Sequence, residues 1–281
     1  MVLGTLAAGC VDGGPRAPSG DPPLRIVSLA PALTEVLFAL GAGDRVVGVT
    51  DYCDYPPEVA RLPRIGGYVN PSVEAVLALR PDLILVSPAA GNREPALVLR
   101  RAGARVEVVP MESLSDTFGA METVGRLCGL EDRGRALAAN LRRRIDEAST
   151  RFASKRRTRT LFCVQVDPVI AAGAGTLPAE ILELAGGENV ITVARYPQVG
   201  IEAVLNEAPE VILQARMDAT DGFAEAAATA FWKRWPAIPA VRDGRVVVFD
   251  ATIALRPGPR VAEAVEQIGE ILHGTVAGKR P

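Results

Sequence analysis

An internal repeat constrains the fold of this chain more than any other feature of its sequence. Residues 68–85, YVNPSVEAVLALRPDLIL, match residues 196–213, YPQVGIEAVLNEAPEVIL, at a constant offset of 128 residues. Eight of the 18 aligned positions are identical. Such self-similarity predicts two structurally related units, and a length of 281 residues leaves room for both of them.

The repeated segment belongs, in each half of the chain, to a longer pattern of alternating strands and helices, and each such half is called a repeat from here on. In the first repeat, strands are predicted at 25–29, 46–49, 83–86 and 106–109, and helices at 34–40, 72–79 and 94–102. In the second repeat, strands are predicted at 160–166, 190–192, 211–214 and 245–249, and helices at 178–185, 200–206 and 224–235. This alternation indicates βαβ units and a parallel sheet in each repeat.

The segment between the repeats predicts one long helix. Residues 132–154 carry apolar side chains at helical spacing, and a helix of that length is about 35 Å long. The expected fold class is α/β, with two related Rossmann-like lobes joined by a single long backbone helix. Because ligands bind at the carboxyl ends of parallel strands, a ligand cleft is expected between the lobes. The expected boundaries are a tether at 1–23, a first lobe at 24–115, a helical segment at 116–157 and a second lobe at 158–281.

The first residues are similar to the end of a lipoprotein signal peptide. Small residues precede a cysteine in Leu6-Ala7-Ala8-Gly9-Cys10, and the following residues 11–23 are rich in Gly and Pro. We expect lipidation at Cys10, a flexible tether and a periplasmic or cell-surface location on a membrane. The alternative is a disordered tail with an incidental cysteine.

Charge and composition argue against several classes of function. The 31 basic and 33 acidic residues lack the basic excess of a nucleic-acid-binding protein. One histidine and four cysteines without a C-x-x-C pair cannot form a zinc cluster at the usual spacings. The predicted cleft loops supply Asp51, Asp54 and Asp167 but no histidine, which argues against an enzyme such as a chelatase. We expect no resident metal or cofactor.

All four tyrosines fall in loops that are expected to line a cleft between the lobes. Tyr68 and Tyr196 occupy equivalent positions in the two repeats, while Tyr52 and Tyr55 share another loop of the first repeat. Aromatic rings that keep a polar hydroxyl suit a large, flat, amphipathic ligand. The alternative is that they are ordinary half-buried tyrosines.

Glu74 and Glu202 lie at equivalent positions, each in the first turn of a predicted helix. There a carboxylate gains about 0.3–1 kcal/mol from the helix dipole, and this alone could explain both residues. As a pair, they would also fit a symmetric partner with two basic pockets.

The runs RIVSLAPALTEVLFALGAGDRVVGVTDYCDYPPEV and WKRWPAIPAVRDGRVVVFD, together with the repeated EAVL motif, resemble a known family. It comprises the helical-backbone periplasmic substrate-binding proteins of ABC importers, which carry cobalamin, ferric siderophores or haem. The resemblance extends from Leu24 to His273. Within the family, DYCDYPPEV, GGENV and YPQVGIEAVL are most similar to the cobalamin-binding branch.

This resemblance implies a monomeric binding protein that captures a corrinoid and has no catalytic activity. It implies that Tyr52, Tyr68 and Tyr196 contact the corrin and that Arg256 adds a polar contact. It also implies that Glu74 and Glu202 dock onto arginines of a dimeric permease with a cytoplasmic ATPase.

Haem and ferric siderophores remain alternative ligands. The loop DATIALRPG lacks, just before Arg256, the acidic and aromatic residues that cobalamin binders carry at those positions, and PAAGN offers no aromatic residue. Haem would favour a tyrosine or histidine iron ligand, but His273 is expected to be an ordinary histidine of the last helix. A ferric siderophore would need further cations, for which Arg195 and Arg260 are candidates.

Overall fold

The computed structural model describes residues 22–88, 90–216 and 222–274, which form two lobes, each built around a β-sheet. In the first lobe, four parallel strands have the order β2-β1-β3-β4. These strands are β1 (Ile26–Ser28), β2 (Val46–Val49), β3 (Leu83–Val86) and β4 (Val106–Val108). The helices of this lobe are α1 (Pro31–Ala39), α2 (Val73–Ala78) and α3 (Arg93–Arg101). Central strand β3 is buried along its whole length, as expected for a parallel strand covered on both faces.

Two helices connect the lobes, α4 (Leu114–Leu127) and the 23-residue backbone helix α5 (Glu131–Ala153). A capping box between Ser113 and Asp116 fixes the start of α4. The two helices cross very closely, since a Cβ on Gly134 would lie 2.7 Å from the backbone oxygen of Met121. The long helix predicted at 132–154 is therefore confirmed, with α4 packed against it.

The second lobe contains a sheet of order β6-β5-β8-β9, with β7 paired to the first half of β5. Its strands are β5 (Thr158–Val166), β6 (Val169–Ala171), β7 (Gly187–Asn189), β8 (Val211–Arg216) and β9 (Val246–Asp250). Its helices are α6 (Leu177–Leu184), α7 (Ile201–Glu207), α8 (Gly222–Lys233), α9 (Pro239–Arg242), α10 (Thr252–Leu255) and α11 (Val261–His273).

Two features of this second sheet differ from the prediction. The strand expected at 190–192 lies three residues earlier, as β7, because the polar segment Gly187–Asn189 pairs through its backbone and carries no apolar signal. Strand β6 was not predicted. It has only three residues and pairs antiparallel with β5 after the two-residue turn Asp167-Pro168.

One hydrophobic core runs through both lobes along the backbone helix. Leu141 and Ile145 of α5 belong to the same buried cluster as Leu37 of α1, Ile181 of α6 and Ile268 of α11. A smaller cluster lies within each lobe. The lobes are thus packed together on the side of α5, and a cleft can open only on the opposite side.

Two glutamates, each on the first helix of its lobe, tie the lobes together. Glu35 on α1 of the first lobe accepts hydrogen bonds from Arg260, which precedes α11, at 2.6 and 2.9 Å. Glu180 on α6 of the second lobe accepts one from the backbone N–H of Leu114, which begins α4, at 3.2 Å. The first helix of each lobe therefore binds the start of a helix that comes after the last strand of the other lobe: α1 contacts the start of α11, and α6 contacts the start of α4.

Candidate ligand-binding site

The first wall of the cleft carries Tyr52 and Tyr68. The Tyr68 hydroxyl is hydrogen-bonded at 2.7 Å to the hydroxyl of Ser87, the residue that follows β3, so it lies at the carboxyl edge of the sheet. The Tyr52 ring lies 3.9 Å from the position that a Cβ on Gly67 would take. Tyr52 is 61% exposed, whereas Tyr68 is half-buried. The structure thus brings these two predicted ligand contacts together on one wall.

Tyr196 lies on the wall of the second lobe. Its loop is held by backbone hydrogen bonds to the segment that contains β6, among them Ala171 N–H to Pro197 oxygen at 3.1 Å. Tyr196 is 47% exposed. Partial burial raises the pKa of the Tyr196 hydroxyl, and the positive charge of neighbouring Arg195 opposes that rise. At neutral pH Tyr196 therefore offers a neutral ring and a neutral hydroxyl.

An ion pair joins the two lobes at one end of the cleft. The guanidinium of Arg256, which follows α10, binds both carboxylate oxygens of Asp54 in the loop after β2, with Nη2 to Oδ2 at 3.0 Å. The Arg256 side chain is only 14% exposed. Arg256 thus lies between the lobes, where an acidic side chain of the other lobe already neutralises it. Its predicted contact with a ligand stays a prediction.

A second ion pair joins the lobes at the other end. Arg195, beside Tyr196, lies 4.0 Å from Glu112, which precedes α4. Asp54 follows edge strand β2 and Glu112 follows edge strand β4. Three strand spacings separate β2 from β4, which puts these two edge strands about 14 Å apart. The cleft is therefore bounded at both ends by charged contacts between the lobes.

Arg260 is not available to bind a ligand, because its charge is already paired inside the protein. Its guanidinium lies 4.1 Å from the centre of the Tyr55 ring and makes the paired hydrogen bonds to Glu35. Both partners of this ion pair are buried, with 15% of the Arg260 side chain and 3% of the Glu35 side chain exposed. The suggestion that Arg260 serves a ferric siderophore is therefore wrong, because its charge is used inside the protein.

Glu74 and Glu202 are each the second residue of their helix, α2 and α7. Both side chains are exposed, and within the described part of the chain neither forms an ion pair. The repeat therefore gives each lobe one exposed carboxylate at the same place. Their predicted role in docking to a permease stays a prediction.

The three cysteines in the described part of the chain, and the histidine, are not exposed on the cleft surface. Cys53, Cys128 and Cys163 are buried free thiols, and Cys53 contacts the hydroxyls of Thr34 and Thr50. Burial raises the pKa of Cys128 to about 11 and that of Cys163 to about 12, so both stay protonated. Cys10 lies outside the described residues.

His273 ends α11, where its ring stacks on Phe152 of the backbone helix at 5.3 Å between centroids. Its Nε2 lies 3.1 Å from the backbone oxygen of Ala185. Burial lowers the pKa of His273, an effect that the hydrogen bond to Ala185 opposes. His273 thus has a packing role at the contact between α5, α6 and α11.

Sequence reasoning missed the roles of Asp54 and Glu112. Their partners lie 202 and 83 positions away, and no local motif connects such distant charges. The position of each residue in the loop that follows an edge strand was the only available signal. Among the described residues, no group of three or more metal-ligating side chains is present, and no helix has the length and apolar character needed to cross a bilayer.

Comparisons with known proteins agree with this architecture. Residues 26–252 match the family model described as "Periplasmic binding protein". The vitamin B12-binding protein of Vibrio cholerae serotype O1 is 32% identical over 250 residues, 88% of each chain. An uncharacterised ABC transporter substrate-binding lipoprotein of Bacillus subtilis is 32% identical over 261 residues, 89% of this chain and 80% of that protein.

Solved structures similar to this chain are also periplasmic binding proteins. The periplasmic vitamin B12-binding protein of Vibrio cholerae has a TM-score of 0.78 at 32% identity, with 92% of this chain and 99% of that chain covered. The periplasmic haem-binding protein of Roseiflexus sp. RS-1 has a TM-score of 0.82 at 28% identity, with 91% and 99% covered. Such proteins bind small molecules outside the cytoplasm for ABC importers and are not enzymes. The chain belongs to the periplasmic binding protein family, as the two lobes and their cleft also indicate.

Proposed function

We propose that this protein captures a corrinoid in the cleft and delivers it to an ABC import permease. The observation that carries the proposal is the 32% identity, over 88% of both chains, to a vitamin B12-binding protein. The cleft supports it, because Tyr52 and Tyr68 on one wall and Tyr196 on the other provide aromatic surface for a large flat ligand. Arg256, held by Asp54, supplies a fixed polar group at one end.

Haem is the second candidate ligand. It is favoured by the likeness to a haem-binding protein, at a TM-score of 0.82 and 28% identity. A haem iron would require an oxygen or nitrogen ligand from the cleft. The Tyr68 hydroxyl already bonds to Ser87, which leaves its ring as the main group for ligand contact.

Titration calorimetry on the protein truncated before Leu24 tests the proposal. We expect cyanocobalamin and dicyanocobinamide to bind with dissociation constants between about 1 μM and 1 nM, the range needed for capture from dilute solution. Haemin is titrated under the same conditions. Tight binding of haemin without corrinoid binding would show that the ligand is haem and would contradict the corrinoid proposal, but not the assignment to an ABC importer.

The exposed carboxylates support a docking role for Glu74 and Glu202. We expect Glu74→Arg combined with Glu202→Arg to abolish complex formation with the cognate permease in lipid nanodiscs, because each reversal sets like charges against each other. Corrinoid affinity should stay unchanged. Glu94→Arg is a matched control, since Glu94 is exposed in the first turn of α3. Equal effects of the Glu94 and the Glu74/Glu202 reversals would contradict a specific docking role.

Lipidation at Cys10 would keep the protein beside its permease. The sequence Leu6-Ala7-Ala8-Gly9-Cys10 and the Gly/Pro-rich residues after it support this part of the proposal. A relative from Bacillus subtilis is named a lipoprotein. If Cys10 carries the anchor, a Cys10→Ser variant of the full-length protein should move from the membrane fraction to the soluble fraction. An unchanged distribution would refute the anchor.

A further inference from the structure

The backbone at Arg195 has a conformation that is unusual for a residue with a side chain. Its φ of 68° lies in the left-handed region, which costs such residues about 1–2 kcal/mol. The N–H of Arg195 donates to Ala174 oxygen at 3.0 Å, and its carbonyl accepts from Gly173 N–H at 2.8 Å. The surrounding loop therefore holds Arg195 firmly in this conformation, as is common where a side chain must point at a ligand.

The charge of Arg195 is the more available of the two arginine charges at the ends of the cleft. Arg256 is 14% exposed and makes two hydrogen bonds to Asp54. The Arg195 side chain is 77% exposed, and within the described residues its one charged partner is Glu112, at 4.0 Å and 62% exposed. An exposed pair of that length contributes about 0–1 kcal/mol, so a ligand anion can replace Glu112 at little cost.

The neighbour of Arg195 defines the kind of ligand that it can serve. Tyr196 provides an aromatic ring on the same wall, and the guanidinium is close enough to influence the pKa of the Tyr196 hydroxyl. A guanidinium matches the two oxygens of a phosphodiester or a carboxylate. The adjacent ring and cation therefore suit a large flat body that has an anionic group on its rim.

We propose that Arg195 binds the anionic oxygen substituent of the ligand, a phosphodiester or a carboxylate, and exchanges Glu112 for it. This inference rests on the proposed function and specifies which end of the cleft receives the charged part of the ligand. In a corrinoid the anionic group is the phosphodiester of the nucleotide loop, which cyanocobalamin carries and dicyanocobinamide lacks. In haem it is the propionate carboxylates.

The test compares ligands with and without the anion. Arg195→Asn removes the cation and keeps the backbone, since Asn tolerates the left-handed region better than most residues. We expect its affinity for cyanocobalamin to fall about tenfold, the low end for a hydrogen bond to a charged group, and its affinity for dicyanocobinamide to change less than about twofold. Glu112→Gln should strengthen cyanocobalamin binding by about two- to threefold, because it removes the competing carboxylate.

The outcomes separate this inference from the proposed function. Equal losses for both corrinoids, or no loss, would overturn the role of Arg195 while corrinoid capture by the wild-type protein stands. If the wild-type protein binds haemin instead, the same comparison uses haemin and its dimethyl ester. A loss of affinity of Arg195→Asn for haemin, with unchanged affinity for the dimethyl ester, would support the inference. Binding of none of these ligands by the wild-type protein would overturn both proposals. An unfolding temperature of Arg195→Asn equal to that of the wild type would show that the variant is folded, and unchanged binding of dicyanocobinamide would show that the cleft is intact.

Discussion

Replacing Tyr68 and Tyr196 by alanine is expected to abolish most of the corrinoid affinity. Truncation of an aromatic residue at the centre of an interface costs about 2 kcal/mol or more, which is about 30-fold in the dissociation constant. Because the two rings lie on different lobes, their losses should nearly add. Calorimetry with cyanocobalamin should show a combined loss above about 100-fold.

Phenylalanine variants are the matched controls for this pair. Tyr196→Phe keeps the ring, and we expect less than about threefold loss of corrinoid affinity. Tyr68→Phe also keeps the ring but leaves the buried hydroxyl of Ser87 without its partner, which makes a modest loss of stability the expected result. A tyrosine that ligates iron would lose its function in the phenylalanine variant. Alanine variants that bind like wild type would show that the rings do not contact the ligand.

Replacing Glu35 by alanine is expected to cause the largest loss of stability. The variant leaves the Arg260 guanidinium, with 15% of its side chain exposed, without its carboxylate partner. Removing one member of a buried ion pair costs about 3–5 kcal/mol, because a desolvated charge remains in the protein. Urea unfolding followed by circular dichroism should show this decrease in the free energy of unfolding.

The second lobe supplies the control for this variant. Glu180 lies on the first helix of the second lobe, as Glu35 does in the first, but it accepts one hydrogen bond from a backbone N–H, and its side chain is only half-buried. Glu180→Ala should therefore cost about 1–2 kcal/mol. Equal losses in the two variants would show that the buried arginine is not the source of the effect. The double variant Glu35→Leu/Arg260→Leu should recover much of the stability, since no buried charge is left unpaired.

The order of strands and helices could be predicted from the sequence because most elements of this fold carry a strong local signal. The strands Val46–Val49 and Leu83–Val86 have the predicted ends, since each is a short apolar or β-branched run bounded by turn residues. The backbone helix Glu131–Ala153 differs by one residue at each end. The edge strand Gly187–Asn189 has no such signal, because only its backbone is used for pairing.

The candidate site could be predicted only in part, because some of its residues carry a signal in the sequence and others do not. The repeat itself marks Tyr68, Tyr196, Glu74 and Glu202, so alignment of the chain with itself finds them. The pairs Asp54 with Arg256 and Glu112 with Arg195 break the repeat and join distant segments. Such contacts depend on how the lobes face each other, and this information is present only in the folded chain.

The contacts that Glu35 and Glu180 make with the opposite lobe also affect the order in which the chain can fold. Helix α1 is among the first elements to be synthesised, yet its buried carboxylate has no partner until residue 260 is available. The shared core has the same requirement, because α11 supplies one of its sides. Contacts of such long separation form late, since closing a long loop costs entropy before the contact stabilises it. The first lobe therefore reaches its final packing only after the last helix has been added.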